Sequence, residues 1–240
     1  MGLGNSTENA EWSLCGSEGS EKVPAKVTYF AGLKSRGEPT QIALAYEGIT
    51  DIEVELIDME EWGKRKSEAL PYLPYITFTD GTVLLETVDV LKYIAKKGGK
   101  FVVDEATEDL CKIANSQPIQ GADPKANLPD GGVSWGFPPY DEWLPTAIAV
   151  LKDYVAKLGD GPFFSGEKPG FGEAFVWHNI DNMFTLAKDD IATELGEEDM
   201  AKLQAFYDAF AALDGIKDYL ESRPTKFPKF GFPGSKLNPE

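Results

Sequence analysis

Tyr29 stands in the run KVTYF, where a short apolar strand gives way to a polar Gly/Lys/Ser/Arg/Gly loop and then a helix opening at Glu38-Pro39. A phenol at a strand end is carried by a rigid element while its hydroxyl reaches the loop, so it can be aimed at a bound group. Few other side chains are equipped for chemistry. His178 is the only histidine, and it lies in FVWHNIDNMF, an amphipathic helical stretch in which it reads as a packed structural residue. A Ser-His-Asp triad or a histidine-rich metal site therefore has little to draw on. Cys15 and Cys111 form no CxxC pair, and no cysteine lies near residues 29–36, which removes thiol–disulfide exchange at that strand end. Neither GxxxxGK[ST] nor a helix-opening GxGxxG is present, so a nucleotide cofactor has no cradle. A reaction run here takes its reactive group from the substrate.

The elements that must position Tyr29 follow from patterning. Residues 1–24 are rich in Gly, Ser and Glu and read as a disordered N-terminal extension. VTYF is a strand; the next helix carries Pro39 in its first turn, where the missing N–H costs nothing, and Gly48 is placed to end it. DIEVELID alternates Ile52, Val54 and Leu56 with Glu53 and Glu55, which predicts an edge strand with one buried and one acidic face. YITFT and TVLL flank Asp80-Gly81, a hairpin turn, and Glu86-Thr87 opens the helix VDVLKYIAKKGG. The order βαβ then ββα predicts a parallel first pair and an antiparallel hairpin, a small α/β domain of thioredoxin type over residues 25–98. Beyond it, TEDLCKIAN, DEWLPTAIAVLKDYVAKLG, EAFVWHNIDNMFTLAK and EEDMAKLQAFYDAFAALDGIKDYLESR keep helical spacing, which predicts an all-helical domain over residues 100–224. A Pro/Gly-rich loop at about 115–140 is long enough to be functional, and residues 225–240 form an aromatic C-terminal tail.

Composition narrows the setting. The 240 residues suffice for one large or two modest domains, with an ordinary 42% apolar content. A net charge of −17 argues against nucleic acid, because nothing basic and contiguous could replace phosphate counterions. No apolar run approaches the ~18 residues of a membrane span, and no secretory signal is visible. Two cysteines outside any disulfide framework suggest a reducing, cytoplasmic compartment. MGLGNS fits the pattern for myristoylation of Gly2, the one route to membrane contact, but residues 1–21 hold no Lys or Arg to reinforce it.

Taken in order, KVTYF, RGEPTQIALAYEG, the Trp62 and Lys66 spacing of EEWGKRK, LPYITFTDG and ESRP resemble the cytosolic glutathione transferases, most nearly the sigma class, over residues 26–224. The resemblance implies an α/β thioredoxin-like N-terminal domain that binds glutathione, followed by an all-α C-terminal domain carrying a hydrophobic acceptor site. It implies that Tyr29 is the catalytic residue. A thiol of pKa ~8.5 is only a few percent thiolate at neutral pH, and a hydrogen bond to the charged sulfur is worth roughly 1.5–3 kcal/mol. One well-placed phenol can therefore lower the thiol pKa by about 1–2 units.

The other site residues come with the same resemblance. Leu73 would present its backbone to the cysteinyl unit beside a cis Pro74. Thr87, with the helix N-terminus behind it, would take the γ-glutamyl carboxylate, and Glu86 the ammonium. Trp62 and Lys66 would cover the glycyl end, and Arg36 would steady the thiolate. Glutathione enters as co-substrate, no metal or organic cofactor is required, and a homodimer is expected.

The chain also departs from the family. LPFGK(L/I)P is shortened to LPYLP, the loop after Tyr29 is one residue longer, Glu-Thr stands at 86–87 where sigma proteins carry Gln-Ser, and the Ser/Thr-x-x-Asp capping box becomes Gly170-Phe171-Gly172-Glu173. The implied activity is addition of the glutathione thiolate to hydrophobic electrophiles, a detoxification chemistry, with isomerase or peroxidase activity as variants. The alternative is a catalytically weak or silent member serving as a binding or structural protein. The shortened LPYLP segment and acidic surface favour it.

Overall fold

The structure, a computed structural model, describes residues 23–31, 33–116 and 140–226. The N-terminal extension with Gly2 up to residue 22, loop residues 117–139 and the tail beyond 226 lie outside the described residues. The chain opens with β1 (Pro24–Phe30), α1 (Glu38–Glu47) and β2 (Glu53–Ile57), with β2 parallel to β1 so that Val27 faces Val54 and Tyr29 faces Leu56. Pro39 sits in the first turn of α1 and Gly48 ends it at φ 70°, the left-handed conformation that glycine adopts without steric cost. β3 (Tyr75–Phe78) pairs antiparallel with β1 and with β4 (Val83–Leu84), giving the sheet order β2-β1-β3-β4. The hairpin closes at Asp80-Gly81, where the Asp80 carboxylate accepts the Thr82 N–H at 2.8 Å.

Between β2 and β3 runs a short helix, α2 (Met59–Arg65), that the sequence reading does not assign. Its signal is Asp58, whose carboxylate accepts the Glu61 N–H at 2.7 Å. The buried and acidic faces expected of β2 are also reversed in part. Ile52 is buried, but Val54 and Leu56 are each 37% exposed, whereas Glu55 turns inward to Thr28, Lys26 and Arg65. Ion pairing from two neighbouring elements outweighs the alternation, because a carboxylate with three donors tolerates partial burial.

Among the described residues, α3 (Thr87–Gly98) leads into five helices: α4 (Glu105–Ser116), α5 (Tyr140–Lys157), α6 (Glu173–Leu195), α7 (Glu197–Ala211) and α8 (Ile216–Lys226). The last helical stretch of the sequence is thus two helices, broken at Gly215 (φ 82°), whose Cα lies so close to the Ala45 carbonyl of α1 that no side chain fits. One apolar core runs through both halves, joining Val27, Ile42, Ile76, Leu91 and Ile94 to Trp177, Phe210 and Ile216. Each such side chain contributes about 1.5–3 kcal/mol by leaving water. FVWHNIDNMF is buried on every side rather than amphipathic, so its polar residues must be paired inside.

The altered capping segment keeps half of its device. The Glu173 carboxylate reaches back to the Gly170 N–H at 2.8 Å and also accepts from Phe164 and Ser165. The N-cap of α6 is Gly172, and no hydroxyl stands there or at Gly170 because α4 comes too close: a Cβ at Gly170 would overlap the Thr107 side chain, and one at Gly172 the Thr107 carbonyl. No helix among the described residues is long and apolar enough to cross a membrane.

Candidate active site

Where β3 begins and α3 begins, the sheet leaves a cleft of about 190 Å³ lined by Arg36, Tyr72, Leu73, Pro74, Glu86 and Thr87. Three elements build it. The turn before α1 supplies Arg36, the segment entering β3 supplies Tyr72, Leu73 and a buried Pro74 joined by a cis peptide bond, and the start of α3 supplies Glu86 and Thr87. Glu86 holds φ 72°, ψ 127°, a backbone conformation that costs a non-glycine residue roughly 1–3 kcal/mol and clusters at ligand sites. It places an exposed carboxylate at the rim while Thr87 lies buried just behind. Thr87 is the first residue of α3, so the unpaired N–H groups and positive end of that helix open on the cleft. Its hydroxyl has no hydrogen-bond partner among the described residues. The wall thus combines a carboxylate, a guanidinium, a helix N-terminus and a short apolar strip, a set that suits an amino acid group followed by a peptide unit.

Tyr29 is not on this wall. It is 5% exposed and lies behind the Arg36 turn, with the Arg36 N–H donating to its hydroxyl oxygen at 3.2 Å. Burial pushes the phenol pKa up, against the pull of hydrogen bonds from the Ser35 hydroxyl and the Arg36 N–H and of the Arg36 charge. Those two bonds occupy the oxygen as acceptor, which leaves the phenol proton as the group it can give. Its ring rests on Gly37, where a Cβ would overlap it. Arg36 is tied at its other end to α4, Nη2 donating to the Asn115 carbonyl at 3.3 Å.

Of the residues expected at the site, the structure brings Arg36, Leu73, Pro74, Glu86 and Thr87 together at the cleft. Trp62 is instead packed in a small core with Ile57 and Tyr75, edge-on to Phe30 at 6.1 Å, and reaches the cleft only through Leu73, which packs on that cluster. Lys66 is exposed at the end of α2 and its N–H bonds the Trp62 carbonyl at 2.8 Å; it is not on the cleft wall. Tyr72 was missed. It is 53% exposed, and its one signal in the sequence is an aromatic residue set between Pro71 and Leu73-Pro74. His178 is fully buried, its Nδ1 2.8 Å from Glu38 and its Nε2 3.0 Å from the Asn182 amide. Burial pushes the Cys111 thiol up to about 12, which makes it inert as a nucleophile.

Residues 139–223 match the family model of the glutathione S-transferase C-terminal domain. The fold is that of glutathione transferases, a thioredoxin-like sheet domain followed by helices. A Caenorhabditis elegans glutathione S-transferase superposes with a TM-score of 0.64 at 22% identity, covering 84% of this chain and all of its own (100%). Prostaglandin synthase D of Nilaparvata lugens gives 0.59 at 21% identity, over 83% of this chain and 98% of its own. The monomeric glutathione S-transferase Na-GST-3 of the hookworm Necator americanus gives 0.63 at 19% identity, over 83% and 97%. No curated protein sequence matches the chain.

Proposed function

We propose that this protein is a glutathione transferase of sigma-like type that binds glutathione in the Arg36–Thr87 cleft and uses Tyr29 to hold its sulfur as thiolate. The observation that carries the reading is convergence: Arg36, Leu73, Pro74, Glu86 and Thr87, far apart in sequence, line one cleft. The cleft, at about 190 Å³, is below the ~300–1,000 Å³ of whole-ligand pockets. It takes the γ-glutamyl and cysteinyl part of the tripeptide, the carboxylate on Thr87 and the start of α3 and the ammonium on Glu86. The glycyl end then extends along the outer surface toward Lys66. The Tyr29 proton is offered to the sulfur while Arg36 and Ser35 hold the phenol oxygen from behind. The thiolate would attack a hydrophobic electrophile; no metal or organic cofactor takes part, and the protein works in the cytoplasm.

A second reading, a silent binding or structural protein, is favoured by one observation: Tyr29 lies behind the cleft wall. The two part in an ultraviolet titration of the thiolate. On the transferase reading, adding glutathione to the protein at neutral pH raises thiolate absorbance. Tyr29→Phe abolishes the rise, keeps glutathione binding and lowers conjugation of an aromatic electrophile by roughly 10²-fold or more, the range for a positioned proton donor. No thiolate signal from the unaltered protein supports the silent reading instead. Sedimentation distinguishes the expected homodimer from a monomer.

A further inference from the structure

The turn that meets Tyr29 is fastened from the helical half of the molecule. Lys34, only 5% exposed, places its ammonium 3.0 Å from Asp181 of α6 and 3.5 Å from Glu38 of α1. Both carboxylates are shared further. Asp181 accepts from Arg223 of α8 at 2.8 Å and from the Tyr207 hydroxyl at 2.8 Å. Glu38 accepts from the Tyr219 hydroxyl at 3.2 Å, faces Arg223 at 3.4 Å and meets His178 Nδ1 at 2.8 Å. Two carboxylates balance two cations in a closed cluster, and the cluster holds Glu38 and Asp181 ionised despite burial. The Lys34 carbonyl in turn accepts the N–H groups of Gly37 at 3.0 Å and Glu38 at 2.9 Å, which shapes the turn from which the Arg36 N–H points at the Tyr29 oxygen. Burying charges is costly, and well-packed apolar residues in place of the whole cluster would close this interface at less cost, whereas losing Lys34 alone leaves Glu38 and Asp181 with Arg223 as their one remaining cation among the described residues. An ion pair kept there is explained by what it fixes.

We propose that Lys34 is a positioning residue for Tyr29. Its pairing with Asp181 and Glu38 locks the Lys34–Gly37 turn, so that the helical domain sets the hydrogen bonds received by the phenol. This rests on the glutathione transferase reading, and the test separates the two. Lys34→Met keeps the aliphatic stem and removes the charge; Lys34→Arg restores it. In ligand-free protein, amide hydrogen exchange at Arg36 becomes at least tenfold faster in Lys34→Met than in the unaltered protein, as expected when a local tether is lost. With glutathione, the apparent pKa of the bound thiol rises by about one unit in Lys34→Met and Lys34→Arg returns it, while circular dichroism and the Kd for glutathione in acid, where the thiol is protonated in both proteins, are unchanged. If Lys34→Met does not fold, Lys34→Gln, which keeps a donor for Asp181, takes its place and shows the same directions. Unchanged Arg36 exchange in a folded variant overturns the clamp. An unaltered protein without thiolate signal, together with faster Arg36 exchange in the variant, overturns the transferase reading and leaves the clamp standing.

Discussion

Gly37 lies flat against the ring of Tyr29, with no room for a Cβ between them. The residue that begins the approach to α1 is therefore also the surface that sets the height of the phenol in its slot, and its backbone conformation is an ordinary helical one. Steric fit, and not backbone freedom, is the reason for glycine here.

Gly37→Ala should accordingly push the phenol out of place. Overpacking of this kind costs about 1–3 kcal/mol. The expected result is a lower thermal midpoint together with a loss of conjugation rate well beyond what the stability change explains. An alanine variant that melts and turns over like the unaltered protein would show that the ring has slack behind it.

Thr87 is buried at the cleft with a hydroxyl that no described protein group engages, so the group is available to a ligand. Thr87→Val keeps the shape and removes the donor. Losing one hydrogen bond to a carboxylate is worth about 1.5 kcal/mol, or roughly tenfold in Kd for glutathione. Calorimetric titration reads the affinity, while the unfolding midpoint should barely move. Equal affinity in both proteins would place the γ-glutamyl group elsewhere.

These residues also mark what could be read before the fold was known. Gly48, Asp80-Gly81 and the start of α3 were legible because capping and turn chemistry act within a few residues. Leu73, Pro74, Glu86 and Thr87, each at an element boundary, came from the resemblance to glutathione transferases and not from local patterning. Tyr72 and the depth of Tyr29 were not legible, since both depend on how the Arg36 turn packs across the sheet end. Glu55 was assigned to a solvent face because its partners Lys26, Thr28 and Arg65 belong to other elements. The inward-facing polar residues of α6 were hidden likewise, their partners lying 140 or more positions away in some cases.

Glu55 makes the stability of the sheet edge sensitive to acid. Burial works against its charge, yet bonds from Arg65, Thr28 and Lys26 hold its pKa at about 2 against an ordinary 4.5. A carboxyl depressed in the folded state stabilises above its unfolded pKa and loses that contribution as pH falls through the folded one, here from about 4.5 toward 2. Solvent at this open edge screens the pairs, so the contribution at neutral pH is about 1 kcal/mol. Urea midpoints of Glu55→Gln and the unaltered protein should differ at neutral pH and converge in acid; a gap independent of pH would assign the loss to packing.

Gly170→Ser tests whether the missing capping hydroxyl is a defect. A serine at a helix N-cap ordinarily adds about 1 kcal/mol, but the N-cap of α6 is Gly172, two residues further on. In Gly170→Ser the new Cβ would overlap Thr107 of α4, so the thermal midpoint should fall. A rise would mean that α4 gives way easily.

The apolar core that passes unbroken from Ile76 and Leu91 to Trp177 and Phe210 has a bearing on ligand energetics. The sheet half and the helical half share one packing, whereas Leu73 at the cleft rests on the separate cluster of Ile57, Trp62 and Tyr75. A small peptide captured at the mouth of the sheet would press first on that lesser cluster, and the larger one would meet it only at second hand.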